Sequence, residues 1–360
     1  MRLLHVTAGN LFGGVETSIL ALARYPREGL EQEVAVFFEH GRFAEELRAV
    51  GTRIHVLGAA RLRHPWTALR ARRNLARTLA QGRFDAVIVH SCWLHVIVSP
   101  VIRDHGALLA FSVHDFLDRT RILDRWASWT RPDFVLANSH ATLGSVPAVF
   151  PGVSSAVLHP PVAPPASPTV PRDRVRAGME TAAEAIVVIM ASRLEPWKGH
   201  RLLLEAVATL DRRYTVWIAG GAQKSSEQEY LDDLVAHAPP CVRFLGQRRD
   251  VRELMSAADI HCQPNVGPEP FGIAFIEALH AGLPVVTTRM GGALEIVDDT
   301  CGILVAPEPS GVAAALGRLA DPEERRRLGV AGPARARSLC DPSKQAERLE
   351  KLLLEAVDKA

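Results

Sequence analysis

Glu269 and Glu277 bracket the stretch Pro268-Glu-Pro-Phe-Gly-Ile-Ala-Phe-Ile-Glu277, two carboxylates with seven residues between them across a glycine and the start of an apolar helical pattern. A helix rises ~1.5 Å per residue, so carboxylates eight positions apart reach up to roughly 12 Å from each other. That is about the distance from a hexose, across a diphosphate, to a ribose. Amide N–H groups at the start of the helix, near Phe271, Gly272 and Ile273, favour an anion by hydrogen bonding and by the helix dipole. Each carboxylate can accept bonds from sugar hydroxyls. On the helical wheel Ile273, Ile276 and His280 share a stripe and Glu277 lies beside it. A carboxylate there needs a partner, and the residues leave two explanations open: an Arg elsewhere in the chain, or a ligand.

Three other places carry chemistry. Ala191-Ser-Arg-Leu-Glu-Pro-Trp-Lys-Gly-His200 leaves a strand pattern and places two cations, Arg193 and Lys198, at its carboxyl end. Arg offers a planar fork to phosphate oxygens and Lys a mobile point charge, a pair suited to a diphosphate or to a solvated surface. Val113-His-Asp-Phe116 ends another strand and carries His114 there, as a reacting or a structural imidazole. Gly9-Asn-Leu-Phe-Gly-Gly-Val-Glu16 joins the first strand to a helix. Its Gly13-Gly14 pair permits close approach of a ligand or a tight turn, but the segment has neither the Lys-Ser/Thr of a P-loop nor the Gly-x-Gly-x-x-Gly of a dinucleotide site.

These groups must be positioned by an α/β scaffold. Short β-branched runs at 3–7, 33–38, 53–57, 86–90, 107–113, 134–137 and 156–158 alternate with amphipathic runs. A proline-rich segment, 160–171, then interrupts the pattern, since proline sustains neither a helix interior nor a central strand. The alternation resumes with strands expected at 185–190, 215–219, 242–245, 260–263, 284–287 and 303–305. Apolar strands separated by helices imply parallel sheets covered on both faces. The expectation is two doubly wound, Rossmann-like domains, 1–165 and 166–341, with their strand ends facing a shared cleft and the C-terminal helix 342–360 packing back on the first.

The chain has 360 residues, a formal charge of +2 and the composition of a globular protein. That charge supplies no general drive towards nucleic acid. Cys92, Cys241, Cys262, Cys301 and Cys340 include no Cys-x-x-Cys pair, which argues for reduced thiols and against a zinc site or a disulfide framework. With no export signal expected at the N-terminus and no uninterrupted membrane-length apolar run, the anticipated location is cytoplasmic.

Together these residues resemble the retaining GT-B glycosyltransferases, specifically glycosyltransferase family 4 (glycosyl transferases group 1). The specific matches are the Glu-x7-Glu element at Glu269 and Glu277, Arg193-Leu with Lys198-Gly199, and Leu283-Pro-Val-Val followed by Gly291-Gly292 and Glu295. Gly13-Gly14-Val15-Glu16, His114-Asp115 and Ala137-Asn-Ser139 support them, and the likeness runs over nearly the whole chain. It departs at Ser192, where glycine is common, and at Pro270, which crowds the turn after Glu269.

The resemblance implies that Arg193 and Lys198 hold the donor diphosphate, Glu277 the ribose hydroxyls, and Glu269 the donor sugar. Phe271, Gly272 and Ile273 would contact sugar and phosphate through their backbone. His114 would lie near the reacting sugar, the Gly13-Gly14 turn near the diphosphate, and Gly246 and Gln247 near the nucleobase. It further implies transfer with retention to an acceptor hydroxyl, in glycan, polysaccharide, glycolipid or glycosylated-metabolite synthesis. No Asp-x-Asp occurs in the chain. The expectation is therefore no cofactor and no metal, with cations and helix amides stabilising the leaving diphosphate.

The acceptor is less legible. Arg61, Arg63, Arg70, Arg72, Arg73, Arg77 and Arg83 form one basic segment, and Arg119, Arg121, Arg125 and Arg131 mingle with Trp126 and Trp129 in another. Either suits an anionic or lipid-linked acceptor or the inner face of a membrane, but a solvated helix face and a core-packed aromatic pair is the preferred sequence reading. The competing functions are a nucleotide-sugar epimerase, a phosphorylase of the same architecture, and a non-catalytic sugar- or nucleotide-binding protein.

Overall fold

The computed structural model describes residues 1–10, 13–39, 41–60, 64–165 and 167–359. Arg61 and Arg63 of the basic segment lie outside the described residues, as do Leu11 and Phe12 of the glycine-containing turn. The chain divides into two compact units, Met1–Ala163 with Cys340–Ala360, and Pro164–Leu339.

The first unit contains β1 (Arg2–Thr7), β2 (Glu31–Val36), β3 (Ile54–Val56), β4 (Ala86–Val89), β5 (Leu108–Val113), β6 (Phe134–Ala137) and β7 (Ser154–Val157). The second contains β8 (Ile186–Ala191), β9 (Tyr214–Ala219), β10 (Val242–Gly246), β11 (Ile260–Gln263), β12 (Val285–Thr288) and β13 (Gly302–Val305). Every strand falls within two residues of its expected bounds. All pairings between them are parallel, in the orders β3-β2-β1-β4-β5-β6-β7 and β10-β9-β8-β11-β12-β13.

Why the strands were legible follows from their burial. In the first unit Leu4, Val6, Val87, Val89, Leu109, Phe111 and Val135 point to one face and pack with Leu75, Leu79, Ile97 and Ile102 of the covering helices. The alternate residues Leu3, Ile88, Ala110 and Leu136 point to the other, where Leu22, Leu349 and Leu353 cover them. A strand buried on both sides is apolar at consecutive positions, a run that a one-sided sheet lacks. The second unit repeats the scheme, with Val188, Met190, Val216, Ile218 and Val286 packed against Leu203, Leu316 and Leu328.

The C-terminal segment holds two helices, Pro322–Cys340 and Pro342–Val357. Asp341 separates them, and its carboxylate accepts the Lys344 amide at 3.0 Å to start the second helix. Leu328 then belongs to the second unit's core, and Leu349 and Leu353 to the first's. No helix among the described residues is long and apolar enough to cross a membrane.

In each sheet the winding reverses once, between β1 and β4 and between β8 and β11. The connections on either side of a reversal leave in opposite directions and open a crevice beyond the strands' carboxyl ends, the usual ligand position in such sheets.

Candidate active site

Beyond β8 and β11 the second unit gathers most of its chemistry. The chain leaves β8 at Ala191, passes Ser192 and Arg193, and makes a 3-10 turn at Pro196–Lys198. Gly199 ends that turn at φ +83, and a Cβ there would sit 1.8 Å from the carbonyl oxygen of Pro264, just past β11. Only glycine lets the lysine turn lie against the end of β11.

That approach brings Lys198 to Glu269. The ammonium Nζ lies 2.8 Å from Glu269 Oε2 and 4.0 Å from the centroid of the Trp197 ring. The same oxygen accepts from Gln263 Nε2 at 3.0 Å and from Asn265 Nδ2 at 2.9 Å. Thr287 and Thr288 hydroxyls on β12 bond the carbonyls of Gln263 and Asn265 and hold that segment in place. Glu269 is only 5% exposed. One carboxylate oxygen is thus fixed by three donors, while Oε1 takes no hydrogen bond from any described residue. Glu269 also bridges Gly291, and its carbonyl accepts the Gly292 amide at 2.7 Å. A Cβ on Gly291 would fall 2.2 Å from that carbonyl, so the Gly291-Gly292 pair backs the acidic residue.

The helix after Glu269 begins only at Ile273, with Gly272 as its N-cap and no side-chain cap. Helical rise therefore separates Ile273 from Glu277 alone, and the roughly 12 Å helical estimate for the two carboxylates does not apply; Glu269 is placed by its bridge to Gly291. The Phe275 amide donates to the Gly272 carbonyl at 3.0 Å, and the Ile273 and Ala274 amides stay available to an anion. Phe271 is buried beneath them. Glu277, half-buried, makes no hydrogen bond to a described residue, so the charge of Arg252 and a ligand both stand as its explanations. Burial raises its pKa and Arg252 opposes that rise.

Arg193 is half-exposed and not a free cation, for its guanidinium lies 3.2 Å from Glu195 and 3.4 Å from Glu227. Glu227 is buried; the Gln223 amide, donating to its other oxygen at 2.7 Å, keeps its pKa low. Gly246 closes β10, and its carbonyl accepts the Gly220 amide at 2.9 Å, which sets Gly246 and Gln247 beside the turn after β9.

In the first unit Gly13 caps the helix Gly14–Arg24, and its amide donates to Glu16 Oε2 at 3.1 Å. Burial raises the Glu16 pKa. His114 follows β5, and its Nε2 lies 3.0 Å from His90 Nδ1. Burial lowers its pKa to about 4. The structure therefore joins Lys198 to Glu269 and gathers Arg193, Lys198, Glu269 and Glu277 within one unit, with His114, Gly13 and Gly14 in the other.

Sequence reasoning passed over Gln263, Asn265 and Glu227 here, and His5, His90 and Gln32 in the first unit. The available signal was polar residues two apart at the end of an apolar strand, and a histidine within or just after each of β1, β4 and β5. Trp126 and Trp129 do pair, with ring centroids 6.0 Å apart, but Trp129 is 74% exposed and Trp66 80%. The expectation of a core-packed pair is thereby corrected. Among the described residues no group of three or more His, Cys, Asp or Glu is arranged to hold a metal ion.

Two doubly wound parallel sheets with these features define a GT-B protein. Solved structures agree on the fold: Anabaena HepE in complex with UDP and glucose superposes with a TM-score of 0.85 at 24% identity, covering 98% of this chain and 99% of that one. Sucrose-phosphate synthase from Thermosynechococcus elongatus gives 0.80 at 19%, covering 100% of both. Residues 12–163 match Glycosyltransferase Family 4 and residues 185–321 match Glycosyl transferases group 1. The chain belongs to this glycosyltransferase family.

Among curated relatives, a D-inositol 3-phosphate glycosyltransferase of Streptomyces griseus is 36% identical over 184 residues, 46% of this chain and 39% of that protein. One of the same name from Saccharomonospora viridis is 30% identical over 262 residues, 63% and 59% of the two chains. A phosphatidyl-myo-inositol mannosyltransferase of Mycolicibacterium smegmatis is 34% identical over 139 residues, 37% and 35%. The chain thus spans about a third to three fifths of the lengths of these relatives.

Proposed function

We propose that the protein transfers a glycosyl group from a nucleoside diphosphate sugar to an acceptor hydroxyl, with retention and without a divalent ion. The observation that carries this is the Lys198–Glu269 pair at the winding reversal of the second sheet. Glu269 occupies one of the three N–H donors of Lys198 and leaves two for an anion, while Glu269 Oε1 is free for a sugar hydroxyl. Arg193 and the uncapped amides at Ile273 supply further positive groups, and the unbonded Glu277 carboxylate suits the ribose hydroxyls.

The bond from the anomeric carbon to the diphosphate oxygen breaks, and a bond from that carbon to the acceptor oxygen forms. The acceptor's proton passes to the departing phosphate. Charge grows on the diphosphate as its bond opens, so Lys198, Arg193 and the helix amides act most strongly in the transition state. No covalent intermediate on Glu269 is required, consistent with one of its oxygens being tied by three donors. Names of the relatives, and the exposed Arg70, Arg73 and Arg77, favour an anionic acceptor of the inositol phosphate kind.

A thermal-shift panel of UDP, GDP and ADP, followed by mass spectrometry of reactions with the matching sugar donors, tests the reading. UDP-hexoses come first, given the ligands of Anabaena HepE. The expected result is a stabilising nucleotide and a glycosylated acceptor whose rate is unchanged in EDTA. Activity lost to EDTA and restored by magnesium would end the metal-free mechanism; the absence of any nucleotide-dependent shift would end the reading itself.

The acceptor is further proposed to be met at a membrane surface. Trp66, and Ile122 and Trp129, stand exposed on or beside two helices, Pro65–Gly82 and Ile122–Ala127, that pack against the helix Cys92–Asp104 and carry exposed arginines. Aromatic side chains amid cations suit an anionic lipid interface. The protein should sediment with anionic vesicles, and Trp66→Ala with Trp129→Ala should release it; equal binding to neutral vesicles would argue against this contact.

A further inference from the structure

Three imidazoles cross the winding reversal of the first sheet in one unbroken line. His5 Nε2 lies 3.1 Å from Gln32 Oε1, His5 Nδ1 lies 3.0 Å from His90 Nε2, and His90 Nδ1 lies 3.0 Å from His114 Nε2. The rings stack with centroids 5.2 and 5.3 Å apart. Strand register explains the line. His5 pairs with Ile88, and Ile88 with Ala110, so positions 5, 88, 90, 110, 112 and 114 share one face. Moving from β1 to β4 to β5, each histidine stands one step further towards the carboxyl edge. His114, the last, lines a pocket with Ser112, Asn138 and His159.

Among the described residues no charged side chain hydrogen-bonds to any of the three rings. The remaining lining comes from Ser18, Ile19 and Leu22 of the helix Gly14–Arg24, from Leu349 of the helix Pro342–Val357, and from Ile88, Leu136, Leu158, Pro160 and Pro161. Burial holds all three imidazoles well below their usual pKa. A neutral imidazole has one N–H and one lone pair, so placing one proton in such a line places them all. With the Gln32 oxygen towards His5, His5 donates from Nε2 and its Nδ1 must accept. His90 then donates from Nε2 to His5, and His114 donates from Nε2 to His90. The His114 Nδ1, which meets no described hydrogen-bonding group, is left with its lone pair outward. Turning the Gln32 amide over would reverse every proton and make that atom a donor.

We propose that Gln32, His5 and His90 are positioning residues that fix His114 as the Nε2–H tautomer, presenting Nδ1 as the acceptor for a sugar hydroxyl. The inference rests on the reading above that His114 lies by the reacting sugar. Gln32 stands three strands away from His114 in the sheet order, on β2, yet sets what His114 can do.

Nitrogen-15 NMR of the full chain labelled at histidine reads the tautomer without reference to activity. His114 should show a single Nε2–H form in the native protein. Gln32→Met, which keeps the length but cannot accept, and His90→Phe, which keeps the stack but not the bonds, should each give a mixture at unchanged Tm. Gln32→Glu, whose oxygens only accept, should restore the native tautomer. In turnover, Gln32→Met should lower kcat by roughly 10-fold with donor KM unchanged, the lower end of what losing an imidazole's orienting partner costs at other sites. An Nδ1–H tautomer in the native protein, or an unaltered one in Gln32→Met, overturns the relay. A changed tautomer at unchanged kcat instead overturns the placement of His114 at the reaction and leaves the relay standing.

Discussion

Replacing Lys198 by alanine is expected to lower kcat/KM for the nucleotide-sugar by about 10²- to 10³-fold, the effect of removing one preorganised charge-stabilising group. The ammonium is 2.8 Å from Glu269 and has two further donors without an acceptor among the described residues. Its removal has a second consequence, because the side chains of Lys198 and Glu269 are only 14% and 6% exposed. Leaving such a carboxylate without its counter-charge costs about 3 to 5 kcal/mol of stability, although the amides of Gln263 and Asn265 still bond it. The two effects separate experimentally. Glu269→Gln placed in the Lys198→Ala background removes the stranded charge and should recover most of the lost Tm, but no turnover. Arg193→Ala should cost about 10²-fold in turnover with little change in Tm, since that side chain is half-exposed and its acidic partners remain solvated or amide-bonded. Wild-type turnover by Lys198→Ala at retained Tm would falsify the diphosphate role.

The second large effect is acid lability. His5, His95, His200 and His261 are each at most 1% exposed, and burial lowers their pKa values to about 4, 4, 4 and 3. In the unfolded chain each titrates near 6.5. Because the folded pKa is the lower one, the unfolded state takes up protons first as pH falls below 6.5, and folding loses free energy until the folded pKa is reached. At pH 5 the loss is about 2 kcal/mol per histidine. Two of the four lie in each unit. Each unit therefore loses about 4 kcal/mol of a stability that is ordinarily 5 to 15, and its Tm should fall on the order of 10 °C between pH 7 and pH 5. His261 is the sharpest case, since neither ring nitrogen has a partner among the described residues and its ring packs on Phe275 of the helix that follows Glu269. His261→Phe should stabilise the second unit at pH 5 and flatten its pH dependence. Melting temperatures that stay level from pH 7 to pH 5 would contradict the whole account.

Much of the scaffold was readable from the chain. The central strands of both sheets are buried on two faces, so they read as largely apolar runs and no partner strand is needed to recognise them, while β3, β7 and β10 at the sheet edges are less buried. Sites at strand ends were readable for the same reason: once β8 ends at Ala191, Arg193 and Lys198 must lie beyond its carboxyl edge. What escaped notice were residues that look structural in one dimension. Gln263 and Asn265 pass for ordinary polar residues until the Gly199 turn brings Lys198 against them. Trp129 pairs with Trp126 as its spacing suggests, yet helix orientation turns it outward.

The order of amino acids alone therefore determined the two parallel sheets, the winding alternation and the chemical types waiting at strand ends, because periodic burial and glycine placement are local properties. Tertiary structure alone decided which charges meet. Lys198 and Glu269 are 71 residues apart and His5 and His90 are 85 apart; such pairings depend on strand order and register, which bring distant segments to the same edge and leave no mark in the spacing of the residues themselves.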